Sequence, residues 1–407
     1  MKVKFFRPGM MARLVAAGLL LLCTSALADD DKGKRKADLS RLVVLGDSLS
    51  AGFQNFSLYD RNNGNSGPAA GGQSSGFATL IATQAGANLT LPLISYPGLP
   101  PALKLTPKGI IREDLPAGQR VNTGVRATNL SIPGFTLADA LSHPFPGDLM
   151  NNPIDALAYS VIYVPDGVPA CGPIPTGLNT LGLSALACAK SLKPTTVLVS
   201  LGNNDALQAL TFGIPPTSPV AFGINYGKVL LSLASTGASL VVANIPDVTT
   251  VPFLVPAPAF QAQCRFLPQG ATAADYMVPD IVNATKPEFN LCTNYAIRSA
   301  ELIRQARTAV TQYNKIIELM AKPLGVTVVD VNGFFNRIST EGYLVNGTRL
   351  RTGFLQGLFS LDGIHPTNTG YAILANEWIS TMNRDLRTKI PLVAVERVAA
   401  TDPLLPR

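Results

Sequence analysis

The chain of 407 residues holds only two histidines, His143 and His365. His365 stands three residues after an acid, in Asp362-Gly363-Ile364-His365-Pro366-Thr367. On one turn, an acid and an imidazole at i and i+3 reach each other side chain to side chain. Pro366 ends that turn and opens the last helix. A carboxylate that fixes the tautomer of an imidazole makes it a proton acceptor, and the partner of such a base is a hydroxyl or thiol nucleophile. A serine in a suitable place lies far upstream, in Gly46-Asp47-Ser48-Leu49-Ser50, directly after the run Arg41-Leu42-Val43-Val44-Leu45. A strand ending in Gly-x-Ser delivers a hydroxyl to the carboxyl edge of the sheet, where open α/β folds bind ligands. Ser50 occupies the place of the second glycine of a Gly-x-Ser-x-Gly elbow, so the turn is of another kind. Taken alone, Ser48 also suits a helix start and Asp362 a capping acid.

Two more segments carry groups that stabilise developing negative charge. Gly202-Asn203-Asn204-Asp205 follows the strand-like residues 195–200, and an asparagine amide there can donate to an oxyanion. Asn129-Leu130-Ser131-Ile132-Pro133-Gly134 follows the weaker run 124–130, and its glycine can present a backbone N–H closely. His143, in Ser142-His143-Pro144-Phe145-Pro146, sits in a turn with no nearby acid in sequence, and His143→Ala is expected to keep most activity.

The elements that must position these groups read as alternating strands and helices. Apolar runs at 41–45, 195–200, 239–243 and 326–330 suggest strands buried on both faces of a parallel sheet. Helical patterns cover 226–236, 296–321 and 367–386. The alternation predicts a three-layer α/β/α sandwich with a doubly wound, mostly parallel sheet. Gly-, Pro- and Asn-rich insertions near 53–120, 140–192 and 246–295 exceed the length of plain connections and read as binding loops or lids. Within the last, Phe253, Leu254 and Phe260 are candidates for the apolar wall of a substrate cleft, or else for satellite core.

Composition bounds the rest. Apolar residues make up 47% of the chain and charged ones 14%, which excludes a disordered protein. Two histidines exclude a multi-histidine metal site, and no metal or organic cofactor is expected. The net charge of +7 owes four cations to residues 1–28, which contain Lys2, Lys4, Arg7 and Arg13, no acid, an apolar stretch at 14–22 and the ending Ala26-Leu27-Ala28. That pattern predicts an export signal over 1–28, followed by a charged leader over 29–39, and the apolar stretch is short for a membrane span. A periplasmic or secreted protein follows, with no transmembrane segment in the mature chain. No basic, aromatic-interleaved patch suggests nucleic acid. Past the signal, Cys171, Cys188, Cys264 and Cys292 allow three pairings; Cys171–Cys188 and Cys264–Cys292 would each close a local loop.

Together the four motifs resemble the blocks of the SGNH/GDSL hydrolases, lipases and esterases with a Gly-Asp-Ser-Leu signature. The resemblance runs over residues 40–388 in the family's order, leaving 389–407 as a tail. It implies a flavodoxin-like fold, Ser48 as nucleophile, His365 as base and Asp362 as its acid partner. The backbone N–H groups of Ser48 and Gly134 and the Asn204 amide would form the oxyanion hole. The implied activity is hydrolysis of small-molecule or lipid esters through an acyl-enzyme. Two other readings share the scaffold: a carbohydrate acetylesterase and a non-catalytic binding protein. The single tryptophan, Trp378, falls in the last helical stretch and not in the insertions, which weighs against a sugar-stacking cleft.

Overall fold

Short aliphatic runs build the central sheet of the structure, a computed structural model that describes residues 36–60, 72–144, 147–164, 168–169, 184–280 and 290–405. Strands β1 (Leu42–Gly46), β2 (Thr196–Ser200), β3 (Ser239–Ala243) and β4 (Thr327–Val329) lie side by side in that order, all parallel. Val43 pairs with Val197, and Val197 with Leu240. Every residue of β1 and β2 is buried, which requires cover on both faces. Val43, Leu45, Val197 and Val199 enter one core, while Leu42, Val44 and Leu198 enter the other, as the two-residue period of a strand dictates.

The helices supply that cover. They are α1 (Ser48–Ala51), α2 (Phe77–Ala85), α3 (Leu137–Leu141), α4 (Asn203–Thr211), α5 (Pro219–Ala234), α6 (Ala300–Ala321) and α7 (Asn368–Asp385). On one face α5 and α6 pack together through Phe222 and Tyr313, whose rings stack at 3.9 Å. On the other, Phe77 of α2 stacks on Trp378 of α7 at 5.0 Å. The expected three-layer α/β/α sandwich with a parallel sheet is therefore the fold. Helix α5 begins well before residue 226, because Ser218 caps it and Pro219 opens its first turn.

The run at 124–130 forms a single parallel bridge, Val44↔Asn129, and no strand. It borders β1 on the edge opposite β2. Val44 N donates to Thr128 O at 2.9 Å, and Leu130 N to Val44 O at 2.8 Å. The chain thus leaves β1 to one side and returns to pair β2 on the other. That makes the carboxyl end of β1 the topological switch point, where a crevice opens.

The described parts of the expected insertions contain regular elements. Residues 53–120 include α2, a core helix and not part of a lid. Residues 246–295 build most of a satellite antiparallel sheet of Val255–Pro256, Tyr276–Pro279 and Tyr295–Arg298, beside the helix Ala257–Cys264. The Cys264–Cys292 disulfide is present and spans 28 residues. Cys171 of the other expected pair lies outside the described residues, as does the leader through residue 35. The segment 389–405 is packed as part of the domain. Its helix Val395–Thr401 buries Val395 and Ala399, and Asp402 accepts from the Thr369 N–H at 2.9 Å in the first turn of α7. Among the described residues, no helix is long and apolar enough to cross a membrane.

Candidate active site

Ser48 is the first residue of α1, carried to the sheet edge by β1. Asp47 before it caps the helix, with Oδ1 accepting from the Leu49 N–H at 3.1 Å and Oδ2 from Asn203 Nδ2 at 2.7 Å. Asp47 is wholly buried, and that burial pushes its carboxyl up to about 6 against the pull of both hydrogen bonds. The Ser48 N–H stands in the first turn of a helix, where backbone donors have no intrahelical acceptor. Phe53 links this segment to the distant histidine. Its N–H donates to the Ser48 carbonyl at 3.0 Å, and its ring meets the His365 ring edge-on at 4.9 Å.

His365 Nδ1 lies 3.0 Å from Asp362 Oδ2. An ionised carboxylate only accepts, so the proton sits on Nδ1 and Nε2 offers its lone pair. Nε2 is buried and has no hydrogen-bond partner among the described residues. No hydrogen bond joins it to Ser48 Oγ in this structure; such contacts often tighten only with substrate bound. Asp362 is held by four donors. Oδ1 accepts from the N–H groups of Ile364 and His365, each at 2.8 Å. Oδ2 accepts from His365 Nδ1 and, at 2.8 Å, from the Phe56 N–H. Burial would raise this carboxyl, but the His365 ring and the N–H donors outweigh it and hold it below its ordinary value.

Backbone conformation fixes this loop. Gly363 has φ +68, and a Cβ there would lie 2.9 Å from the Phe253 nitrogen, so only glycine fits without strain. Asn55 and Phe56 both take left-handed φ, 54 and 59. Asn55 secures them by accepting from the Leu361 N–H at 3.1 Å and by donating its own N–H to Ser360 Oγ at 3.1 Å.

The two further donors expected for an oxyanion lie at the same edge. Gly134 has φ +87, and Ile154 packs 2.9 Å from where its Cβ would be. Its N–H bonds to no acceptor among the described residues. Asn204, in the first turn of α4, donates one N–H of its amide to the Phe135 carbonyl at 2.9 Å. A primary amide carries two such hydrogens, and the second remains free for a ligand. Asn129 ties this loop to the nucleophile segment, donating to the Ser50 carbonyl at 2.9 Å while accepting from the Ser131 N–H at 3.1 Å.

The residues proposed for an apolar wall are elsewhere. Phe253 and Leu254 are 2% and 6% exposed and belong to the main core. Phe260 is fully buried in a separate cluster with Ala257 and Met277. Packed into these clusters, the three side chains are core, and Phe253 serves to buttress Gly363. Half-buried apolar residues occur at the site instead: Phe56, whose backbone N–H bonds Asp362, and Ile154, whose side chain lies beside Gly134. His143 also departs from expectation. It is buried between two acids, with Nδ1 at 3.2 Å from Asp139 and Nε2 at 2.8 Å from Asp155. The Asp139–His143 pair at i and i+4 was visible in the sequence; Asp155, on the next helix, was not. The roles of Asn55 and Phe56 had no local signal beyond the tolerance of asparagine for left-handed backbone.

A family model described as GDSL-like Lipase/Acylhydrolase matches residues 42–378. Among solved structures, the chain is similar to an α/β hydrolase enzyme from the metagenome of Lake Arreo, Spain. That likeness has 15% identity and a TM-score of 0.39, over 86% of this chain and 98% of the other. It is similar as well to an acetylxylan esterase from Geobacillus stearothermophilus, with 13% identity and a TM-score of 0.38 over 88% and 97% of the two chains. No curated protein matches the chain.

Proposed function

The chain belongs to the GDSL-like lipase/acylhydrolase family and is a carboxylic ester hydrolase, and from that premise we propose a serine acyl-transfer mechanism centred on Ser48. His365 takes the Ser48 proton through Nε2 as the hydroxyl attacks the ester carbonyl. Asp362 keeps the tautomer and balances the imidazolium. The Ser48 and Gly134 N–H groups and the Asn204 amide receive the developing oxyanion. His365 then protonates the leaving alcohol, and water releases the acyl group by the same route. The observation that carries this reading is the Asp362–His365 pair. The ring is fixed with its proton on Nδ1, and the buried Nε2 is left without a partner beside the residue that contacts Ser48.

The substrate in this reading is an ester with an apolar acyl group, gripped between Phe56 and Ile154. The protein is exported, with residues 1–28 as its signal. The Cys264–Cys292 bridge supports that, since such bonds persist in oxidising compartments. The test is a series of p-nitrophenyl esters, acetyl to octanoyl, on the wild type and Ser48→Ala. We expect kcat/KM to rise with chain length, each buried CH₂ contributing about 0.8 kcal/mol. Ser48→Ala should lose about a million-fold in kcat. Rates that peak at acetyl refute the acyl preference, and a Ser48→Ala enzyme with ordinary activity refutes the nucleophile.

A further inference from the structure

The second histidine lies in a cluster that the catalytic reading does not use. His143 follows α3 by two residues and is almost fully buried. Its Nδ1 faces Asp139 Oδ1 at 3.2 Å and its Nε2 faces Asp155 Oδ1 at 2.8 Å. Both partners are carboxylates, which accept when ionised. A neutral imidazole has one N–H and can satisfy only one of them. Both contacts are met only if the ring carries two protons, or if one of the acids carries one.

Asp139 also holds the oxyanion loop, and Asp155 lies on the helix that packs against it. Asp139 Oδ2 accepts from the Thr136 N–H at 2.9 Å and closes a capping box on α3, two residues after Gly134. Asp155 Oδ2 accepts from the Asp148 N–H at 2.6 Å. Asp155 lies on the helix Pro153–Ile162, whose Ile154 packs against Gly134. Between the two acids, the His143 ring rests on Phe135 at 4.7 Å, and it is the Phe135 carbonyl that receives the Asn204 amide. Among the described residues, the other ionisable residues bonded to this cluster are Asp148, through its backbone N–H to Asp155, and Asp205 of α4. The Oδ2 of Asp205 accepts from the Leu137 N–H at 2.9 Å, and the charge of Asp139 helps to raise the Asp205 carboxyl, behind burial as the main cause.

We propose that His143 is a positioning residue for ester hydrolysis: bridging Asp139 and Asp155, it clamps Phe135 and so holds the Gly134 N–H and the Asn204 amide in place for the oxyanion. The proposal rests on the mechanism above. With both acids ionised, the clamp needs the doubly protonated ring. Burial opposes that state, but the two carboxylates outweigh it and raise His143 above the ordinary histidine value. The clamp is therefore complete below that raised value and opens as pH rises through it. The reaction then has an alkaline limb, where His143 loses its proton.

The experiment compares the wild type with His143→Gln, Asp155→Asn and Ser48→Ala on p-nitrophenyl butyrate between pH 6 and 10. His143→Gln and Asp155→Asn should lower kcat about 10- to 100-fold with KM nearly unchanged, as expected for groups that act in the transition state. The alkaline limb should disappear from His143→Gln. His143→Lys, which restores a charge but only one head group, should not recover kcat. Folding is followed by near-UV circular dichroism; if His143→Gln does not fold, Asp155→Asn and the wild-type alkaline limb decide. The proposal is overturned if the folded variants keep wild-type kcat, or if the alkaline limb of His143→Gln is intact. A wild type that hydrolyses no ester, or a fully active Ser48→Ala, overturns the functional reading and this proposal with it. Activity lost in Ser48→Ala but kept in the clamp variants overturns the clamp alone.

Discussion

At the scale of single residues, the chemistry depends on how each acid is housed. Asp362 receives four donors and stays ionised. Asp47, one residue before the nucleophile, is buried with two and is pushed up to about 6. The sign of the consequence follows from linkage. A carboxyl raised from 3.8 to about 6 on folding favours the fold most while it is protonated. Its contribution is full below about pH 4 and is lost as pH rises through about 6. Asparagine at position 47 keeps the capping acceptor and carries no charge. Asn203 can then turn its amide, since its Oδ1 has no present partner. We expect Asp47→Asn to gain stability relative to the wild type as pH rises from 4 to 8, on the order of 3 kcal/mol from the shift. Thermal unfolding of both proteins across that range checks it. A difference that stays constant with pH would show that Asp47 is not raised.

At the scale of elements, what could be read from sequence was whatever a single strand-to-loop segment carries. Gly46–Ser50, Gly202–Asp205 and Asp362–Pro366 each hold their functional groups within a few residues, and β1 to β3 announce themselves as unbroken aliphatic runs. The run at 124–130 reads as a possible strand, but only Asn129 of it bridges β1. The contacts that rigidify the site were also hidden, because they join distant segments: Phe56 to Asp362, Phe253 to Gly363 and Asp155 to His143. Phe253 shows the difference in kind. An apolar loop after a strand reads equally well as wall or core, and only burial decides. As core, Phe253→Ala should cost about 3–5 kcal/mol of stability. It should also lower kcat/KM for acetyl and octanoyl esters by a similar factor, because the damage falls on the Gly363 turn under His365. Chemical denaturation and paired kinetics measure both. A selective loss on octanoyl esters would return Phe253 to the substrate cleft.

At the scale of the whole molecule, the satellite adds a small cluster of its own to the sandwich, while its Val278 enters the main core. The sandwich is sealed by two clusters on the faces of the sheet. The small antiparallel sheet has its own cluster of Ala257, Phe260 and Met277 and its own disulfide. Loop closure by that bridge is worth about 2–4 kcal/mol in typical domains. Replacing both Cys264 and Cys292 with serine should therefore open the satellite locally and leave ester hydrolysis within about twofold, since local stabilities differ across a fold. Limited proteolysis should cut within residues 255–298 first. Cleavage spread evenly over the chain would show that the satellite and the sandwich unfold as one.

The central claim, that Ser48 is the nucleophile activated by His365, is tested most directly by covalent trapping. The purified protein is reacted with a p-nitrophenyl alkylphosphonate and mapped by peptide mass. Phosphorus attacked by an activated serine loses p-nitrophenol and stays bound to the oxygen. The account predicts one phosphonyl group, on Ser48, formed in step with loss of esterase activity and absent after His365→Ala. An adduct on a different residue, or an unmodified Ser48 in a fully inactivated enzyme, would contradict it.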